Sequence, residues 1–271
     1  LSDPNLDRIV RVTELEHELK WTRYPQADSS SVNPDITLGD IFDVKRGLAT
    51  GDNSFFIMDQ AKIKEHGLPM EVFRPILPSS RHVPGDEISA DTNGWPLLEK
   101  QMFLLDVRMG EEEIAERYPS VKTYLDLGKT GSKPVADRYL CQHRSPWYLQ
   151  ENRPSPMIVC TYMGRSREGG SPFRFILNHS LATAGNTYLL LYPKPGLERY
   201  MEDNPEVVRL IWKFLNEIES NDIVGHGRVY GGGLHKLEPR ELKGYPAEEL
   251  VKRIPSLGLP KQSTLSGESV A

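Results

Sequence analysis

Hydrophobic positions along this chain change period several times, and each change marks an element. Ile9, Val10, Val12, Leu15 and Leu19 recur at helical spacing, predicting a helix over 2–20 with Ser2 or Asp3 as its cap and Pro4 in the first turn. The polar, serine-rich stretch Gln26–Pro34 then reads as a flexible joint. Ile36–Arg46 reads as a turn and a strand with Ile41, Phe42 and Val44 as its apolar residues, and Ser54–Met58 as a second strand. Gln60–His66 is predicted helical and closed by Gly67 in a left-handed cap. Arg74–Leu77 and Met102–Asp106 have strand character, and Glu111–Leu127 is helical with an interruption at Pro119. Further strands are expected at 157–163, 173–177, 187–192 and around 228–230. Val207–Ile218 is the clearest amphipathic helix, with Leu210, Ile211, Phe214, Leu215 and Ile218 on one face. Glu238–Leu242 and Ala247–Val251 read as short helices, and the Ser- and Gly-rich tail beyond Pro260 as disordered. Strands and helices mix without βαβ alternation or a fixed repeat, which predicts an α+β fold with a mixed or antiparallel sheet and flanking helices. The implied plan is a connecting helix over 1–25, one main unit over 36–255, and a disordered tail over 256–271.

Composition narrows the class. With 271 residues, 38% hydrophobic and 26% charged, the chain is long enough to bury a sizeable core. No apolar run approaches the ~18 residues that cross a bilayer, and the polar opening is not a signal peptide. The first residue is Leu1, so the expectation is a fragment of a longer polypeptide. Cys141 and Cys160 are the only cysteines, which suits a reducing cytoplasm. A zinc set of Cys141, His143, Cys160 and His179 lacks the tight paired spacings of structural sites, and Cys160 reads as a buried strand residue. The net charge is −5, yet residues 129–174 hold eight Lys or Arg against three Asp or Glu, leaving the remainder at −10. A local basic surface on an acidic protein points to a polyanion, with nucleic acid the first candidate.

Familiar catalytic signatures are missing: no GxxxxGK[ST], GxSxG, HExxH or post-strand GxGxxG occurs. Gly231-Gly232-Gly233 lacks the following Lys-Ser/Thr of a phosphate loop and reads as a tight turn, while Glu111-Glu112-Glu113 reads as a solvated first turn of a helix. Binding chemistry is better represented. Tyr162–Phe175 reads as two strands joined by a long basic, glycine-rich loop carrying Arg165, Arg167 and Arg174. A guanidinium can grip a guanine edge or a phosphate at two points, although a solvated surface hairpin has the same sequence pattern. Lys45 and Arg46 end a strand beside the small-residue loop Gly47–Asn53, where Thr50 and Asn53 can meet phosphate or a base edge; such a loop can equally be a plain turn. Arg138, His143, Arg144, Trp147 and Tyr148 mix charge with aromatics and suit base stacking, but Trp147 and Tyr148 also suit the start of a strand packed in the core.

The run Leu38–Phe56 (LGDIFDVKRGLATGDNSFF) resembles the opening of the target-recognition region of adenine-specific DNA methyltransferases of restriction-modification systems, in which methylase and specificity parts share one polypeptide. Later blocks follow in the same order: Arg138–Cys141, Pro146–Tyr148, Pro156–Arg167, Asn186-Thr187, Leu191–Pro193 and Gly231–Pro239. The resemblance covers about 36–245. It implies a double-stranded DNA recognition module with Lys45, Arg46, Thr50, Asn53, Arg165, Arg167, Arg174 and Lys236 at the DNA. It also implies a partner methyltransferase domain on the N-terminal side, which binds S-adenosylmethionine and carries an Asn-Pro-Pro-Tyr type motif. Neither that motif nor any catalytic or cofactor residue is identified here; Asn33-Pro34-Asp35 and Asn152-Arg153-Pro154 do not supply it. The acidic net charge implies weak affinity without the other half. Two other classes fit the same sequence: a stand-alone nuclease, and an interaction scaffold using the helix at 207–218.

Overall fold

The computed structural model describes residues 34–165, 171–218, 222–223 and 227–257. The helix expected at 2–20, most of the joint at 26–34, and the expected tail from 258 onward lie outside them, as does Arg167; Ser256 and Leu257, assigned to that tail, belong to the 3-10 turn Pro255–Leu257, with Leu257 buried. The fold is α+β, with three sheets and flanking helices. In chain order the strands are β1 Phe42–Arg46, β2 Ile57–Met58, β3 Phe73–Leu77, β4 Glu87–Ile88, β5 Met102–Leu105, β6 Ile158–Thr161, β7 Met163–Arg165, β8 Phe175–Asn178, β9 Thr183–Ala184, β10 Tyr188–Pro193, β11 Arg228–Tyr230 and β12 Leu234–Lys236.

The largest sheet runs β1-β10-β6-β8-β4, antiparallel except for the parallel β4–β8 edge. Its central strands are buried on both faces, which explains why Ile158–Thr161 and Tyr188–Leu191 read as apolar runs without alternation. Period two survives in the packing. Phe42, Val44, Ile158, Cys160, Phe175, Leu177, Leu189 and Leu191 face one core, shared with helix Pro205–Glu217. Val159, Ile176, Tyr188 and Leu190 face another. A second sheet, β2-β5-β3-β9, packs with helix Pro119–Leu127 around Phe56, Leu104 and Tyr124. The third, β11-β12-β7, is small and antiparallel.

Several expected elements change form. Ser54–Phe56 is a short helix, not a strand, because the Asp52 carboxylate accepts from Ser54 N at 2.9 Å and Phe55 N at 3.2 Å and so caps Asn53–Phe56. The strand expected over 157–163 breaks at Tyr162, and its second half joins the third sheet. Trp147 and Tyr148 sit in a turn after helix Tyr139–Gln142 instead of opening a strand, and both pack into the core with Phe55 and Phe56. On helix Pro205–Glu217 the buried stripe is Val207, Val208, Ile211, Phe214 and Leu215; Leu210 falls at its margin and is 49% exposed. Gly67 does close Gln60–Glu65 at φ +59°. Among the described residues no helix is long and apolar enough to cross a membrane.

Two close approaches require glycine. A Cβ on Gly47 would lie 2.1 Å from the Gly185 carbonyl oxygen, and one on Gly164 would lie 1.8 Å from that of Pro172. Gly47→Ala should therefore cost about 1–3 kcal/mol of stability in denaturant titration, as overpacking does; an unchanged midpoint would contradict the close approach. A second prediction concerns the sheet edge. Glu87 on β4 accepts from both terminal nitrogens of Arg209 and lies 2.8 Å from His179 Nε2, tying β4 to helix Pro205–Glu217. Hydrogen bonds from Arg209 first, and His179 next, hold its carboxyl down from the ordinary 4.5 to about 2. A depressed carboxyl stabilises the folded state above its unfolded value, and that contribution is lost as pH falls. Glu87→Gln should thus flatten the acid loss of stability between pH 4.5 and about 2. Thermal melts of the two proteins with parallel acid limbs would refute it.

Candidate nucleic-acid interface

Tyr162 stands where the chain leaves the large sheet for the small one. Its backbone N–H donates to Thr187 O at 3.0 Å, and its carbonyl accepts from Leu237 N at 3.1 Å. These bonds lock the junction between β6 and β7 to the segments before β10 and after β12. The ring is buried, yet two cations reach it: Arg46 Cζ lies 4.3 Å from its centroid and Lys236 Nζ 5.1 Å. The Tyr162 hydroxyl donates to Glu238 Oε1 at 2.8 Å, and Lys236 Nζ pairs with the same oxygen at 2.6 Å. That pair raises the Lys236 pKa, chiefly through the Glu238 hydrogen bond. Burial pushes the Glu238 carboxyl up, but the bonds from Lys236 and Tyr162 outweigh it and leave it below the ordinary carboxylate value.

The third sheet extends this cluster. Register pairs Arg228 with Lys236 and Lys236 with Met163, then Tyr230 with Leu234 and Leu234 with Arg165. Directly paired residues share a face, so Arg228, Lys236, Met163, Tyr230, Leu234 and Arg165 line one side. Arg165 Nε donates to Gly232 O at 3.3 Å, is exposed, and has no acidic partner among the described residues. Arg228 pairs with Glu241 at 3.0 Å. The surface therefore carries Arg46, Arg165, Arg228 and Lys236 against the two carboxylates of Glu238 and Glu241.

Of the eight residues proposed from sequence, Arg167 lies outside the described residues, and the other seven do not form one cluster. Arg46, Arg165 and Lys236 converge through Tyr162 and the β12–β7 pair. Lys45 alternates to the other face of β1, where it is exposed and has no partner among the described residues. Thr50 is 1% exposed, and its hydroxyl donates to Asn53 Oδ1 at 2.7 Å, so it supports the loop from within; Asn53 itself is exposed. Arg174 is taken up internally. Its Nε donates to Asp86 at 2.7 Å, while its terminal nitrogens donate to the carbonyls of Ser80, Val83 and Gly85. That geometry makes it a clamp on the loop before β4, because all of its nitrogens already have protein acceptors. β7 and β8 also belong to different sheets, so the basic stretch does not form the simple hairpin expected.

The loop 47–53 is held from outside by two arginines. Arg144 donates to Thr50 O and Ala49 O, both at 2.7 Å, and Arg138 pairs with Asp52 at 2.8 Å. Arg144 is thus a loop anchor, and His143 packs against the exposed Tyr139 with ring centroids 4.2 Å apart and ring planes tilted by 39°. Cys141 and Cys160 are both free and buried, and burial raises both thiol pKa values. Sequence reasoning missed Tyr162, Arg228, Tyr230 and Glu238 as members of the surface. The period-two signal within 228–230 was available, but the partner strands that give it a face are distant in sequence.

Residues 27–263 match the family described as type II methyltransferase M.Eco57I, C-terminal domain. The chain is 27% identical over 259 residues to the type II methyltransferase M.XamI of Xanthomonas campestris pv. amaranthicola, covering 93% of this chain and 43% of that protein. It is 24% identical over 239 residues to the type II methyltransferase M.AccI of Acinetobacter calcoaceticus, covering 87% and 41%. The chain therefore spans less than half the length of these curated relatives. Among solved structures, the type IIL restriction-modification enzyme MmeI in complex with DNA aligns with a TM-score of 0.42 and 12% identity, over 71% of this chain and 23% of that one. On the match that spans most of its length, this chain belongs to the family of C-terminal domains of M.Eco57I-type type II methyltransferases.

Proposed function

We propose that this chain, over about 36–255, recognises a double-stranded DNA sequence on behalf of an adenine-specific type II methyltransferase. The observation that carries the reading is the cation–aromatic surface built on Tyr162, found in a chain of this family. Exposed cations on strand ends and edges suit phosphate contact, and a guanidinium such as Arg165 suits a base edge. Transfer of the methyl group from S-adenosylmethionine belongs to a methyltransferase domain on the N-terminal side of the parent. A base extruded toward that domain loses stacking and pairing worth about a few kcal/mol, and a second domain gripping the duplex offsets part of that cost. Family membership favours this reading over a stand-alone nuclease or an interaction scaffold. Lys45, Arg46, Arg165 and Lys236 are assigned to the DNA, with Asn53 and Arg167 as neighbours in sequence; Thr50 and Arg174 are assigned to support.

Fluorescence anisotropy of the 271-residue chain with a duplex selected from a randomised pool tests this. Affinity should fall steeply with salt. Arg46→Ala should reduce the log–log salt slope by about 1, the loss of one phosphate contact, whereas Arg165→Ala should cost about 1–3 kcal/mol of binding and relax specificity at one base pair. Arg174→Ala should leave that slope unchanged while lowering the melting temperature, because it unties the loop before β4. Salt-insensitive binding, or no binding, would contradict the assignment.

A further inference from the structure

The hairpin Arg228–Lys236 is anchored through β12, which pairs with β7 and carries Lys236 onto Tyr162, and among the described residues its outer strand has no further partner strand. Its tip, Gly231–Gly233, stands clear: a Cβ added to any of the three would meet nothing within 4 Å. Gly232 and Gly233 have φ of +73° and +68°, so the tight reversal depends on glycine. β11 is an edge strand, and along it Val229 is 64% exposed and Tyr230 44%, on opposite faces of the ribbon. A free edge bearing exposed apolar side chains is a liability in water unless something covers it. The outer strand β11 is thus open on both faces, while β12 is half-buried between it and β7.

Resting on the DNA-binding reading above, we propose that the face of this small sheet carrying Tyr230 and Arg165 lies in the major groove of duplex DNA, with Tyr230 against a base edge and Arg165 beside it. Charge complementarity favours DNA as the occupant. Arg165 sits at the tip end of the sheet, bonded to Gly232 O, with no carboxylate partner among the described residues. Arg228 and Lys236, at the root, are held in place by Glu241 and Glu238. In the major groove an aromatic or apolar side chain can meet a thymine methyl group and a guanidinium can meet guanine. The cations at the root and on the neighbouring strand then lie toward the phosphate walls. Tyr230 thereby becomes a specificity-determining residue, and the glycines let the backbone approach the bases closely.

The test is photo-crosslinking of the 271-residue chain to a pool-selected duplex carrying 5-bromodeoxyuridine, together with the Tyr230→Ala variant. Adducts are expected within 228–236, centred on Tyr230. Tyr230→Ala should weaken binding to the selected duplex by about tenfold while leaving the salt slope unchanged, since a non-ionic contact is removed. Tyr230 is exposed, and matching melting curves would show that the variant folds. Wild-type affinity of Tyr230→Ala, with adducts elsewhere, overturns the groove placement but spares the DNA-binding reading. Loss of self-association in sedimentation, with DNA affinity intact, assigns the edge to a second copy and also overturns it. Absence of duplex binding by the unaltered chain overturns both.

Discussion

Tyr162 is a single residue on which two sheets and three charged side chains depend. Its backbone closes the junction between β6 and β7 through Thr187 and Leu237, and its ring and hydroxyl organise Arg46, Lys236 and Glu238. Cation–aromatic contacts are worth about 0.5–1 kcal/mol at exposed sites and about 2 when desolvated, whereas a partly exposed ion pair contributes about 0–1 kcal/mol. The buried ring is therefore the stronger organiser here, and the Lys236–Glu238 pair refines its geometry. Removing the ring would leave two neighbouring cations with only one nearby carboxylate to separate them.

This arrangement separates rigidity from recognition. The large sheet is buried on both faces and holds β1, β6 and β10 in fixed register, so the ends of those strands are fixed too. Side chains mounted on such ends lose little entropy on meeting a partner, because their backbone is already ordered. Arg138, Arg144 and Arg174 serve the same rigidity from below, each donating to backbone carbonyls of a loop. Their positive charge adds to the local basic character, but their hydrogen-bonding capacity faces inward. A basic composition alone therefore overstates the number of groups that can meet phosphate.

Much of the fold was legible in the sequence because hydrophobic period and capping are local properties. The helices at 60–65, 111–127 and 205–217 and most strands follow that signal. Failures occurred where a side-chain bond overrode it, as when Asp52 turned Ser54–Phe56 into a helix, or where the chain changed sheets at Tyr162. The interface was legible only in part. Arg46, Arg165 and Lys236 stand at strand positions that favour exposure or partnering with Tyr162, but no sequence feature distinguishes them from Arg174. That distinction depends on Asp86 and three carbonyls about ninety residues away in the chain. Tyr230 and Arg228 were hidden for the complementary reason: their face exists only once β12 and β7 are beside them.

The surface anchored by Tyr162 is the proposed docking face for a duplex. Hydrogen–deuterium exchange of the chain with and without a pool-selected duplex measures this most directly. Protection should concentrate at 163–165 and 228–236 and at the end of β1, while the Arg174-clamped loop at 80–87 exchanges at its free rate. Protection confined to 80–87, or to the helix at 205–217, with none along the small sheet, would contradict it.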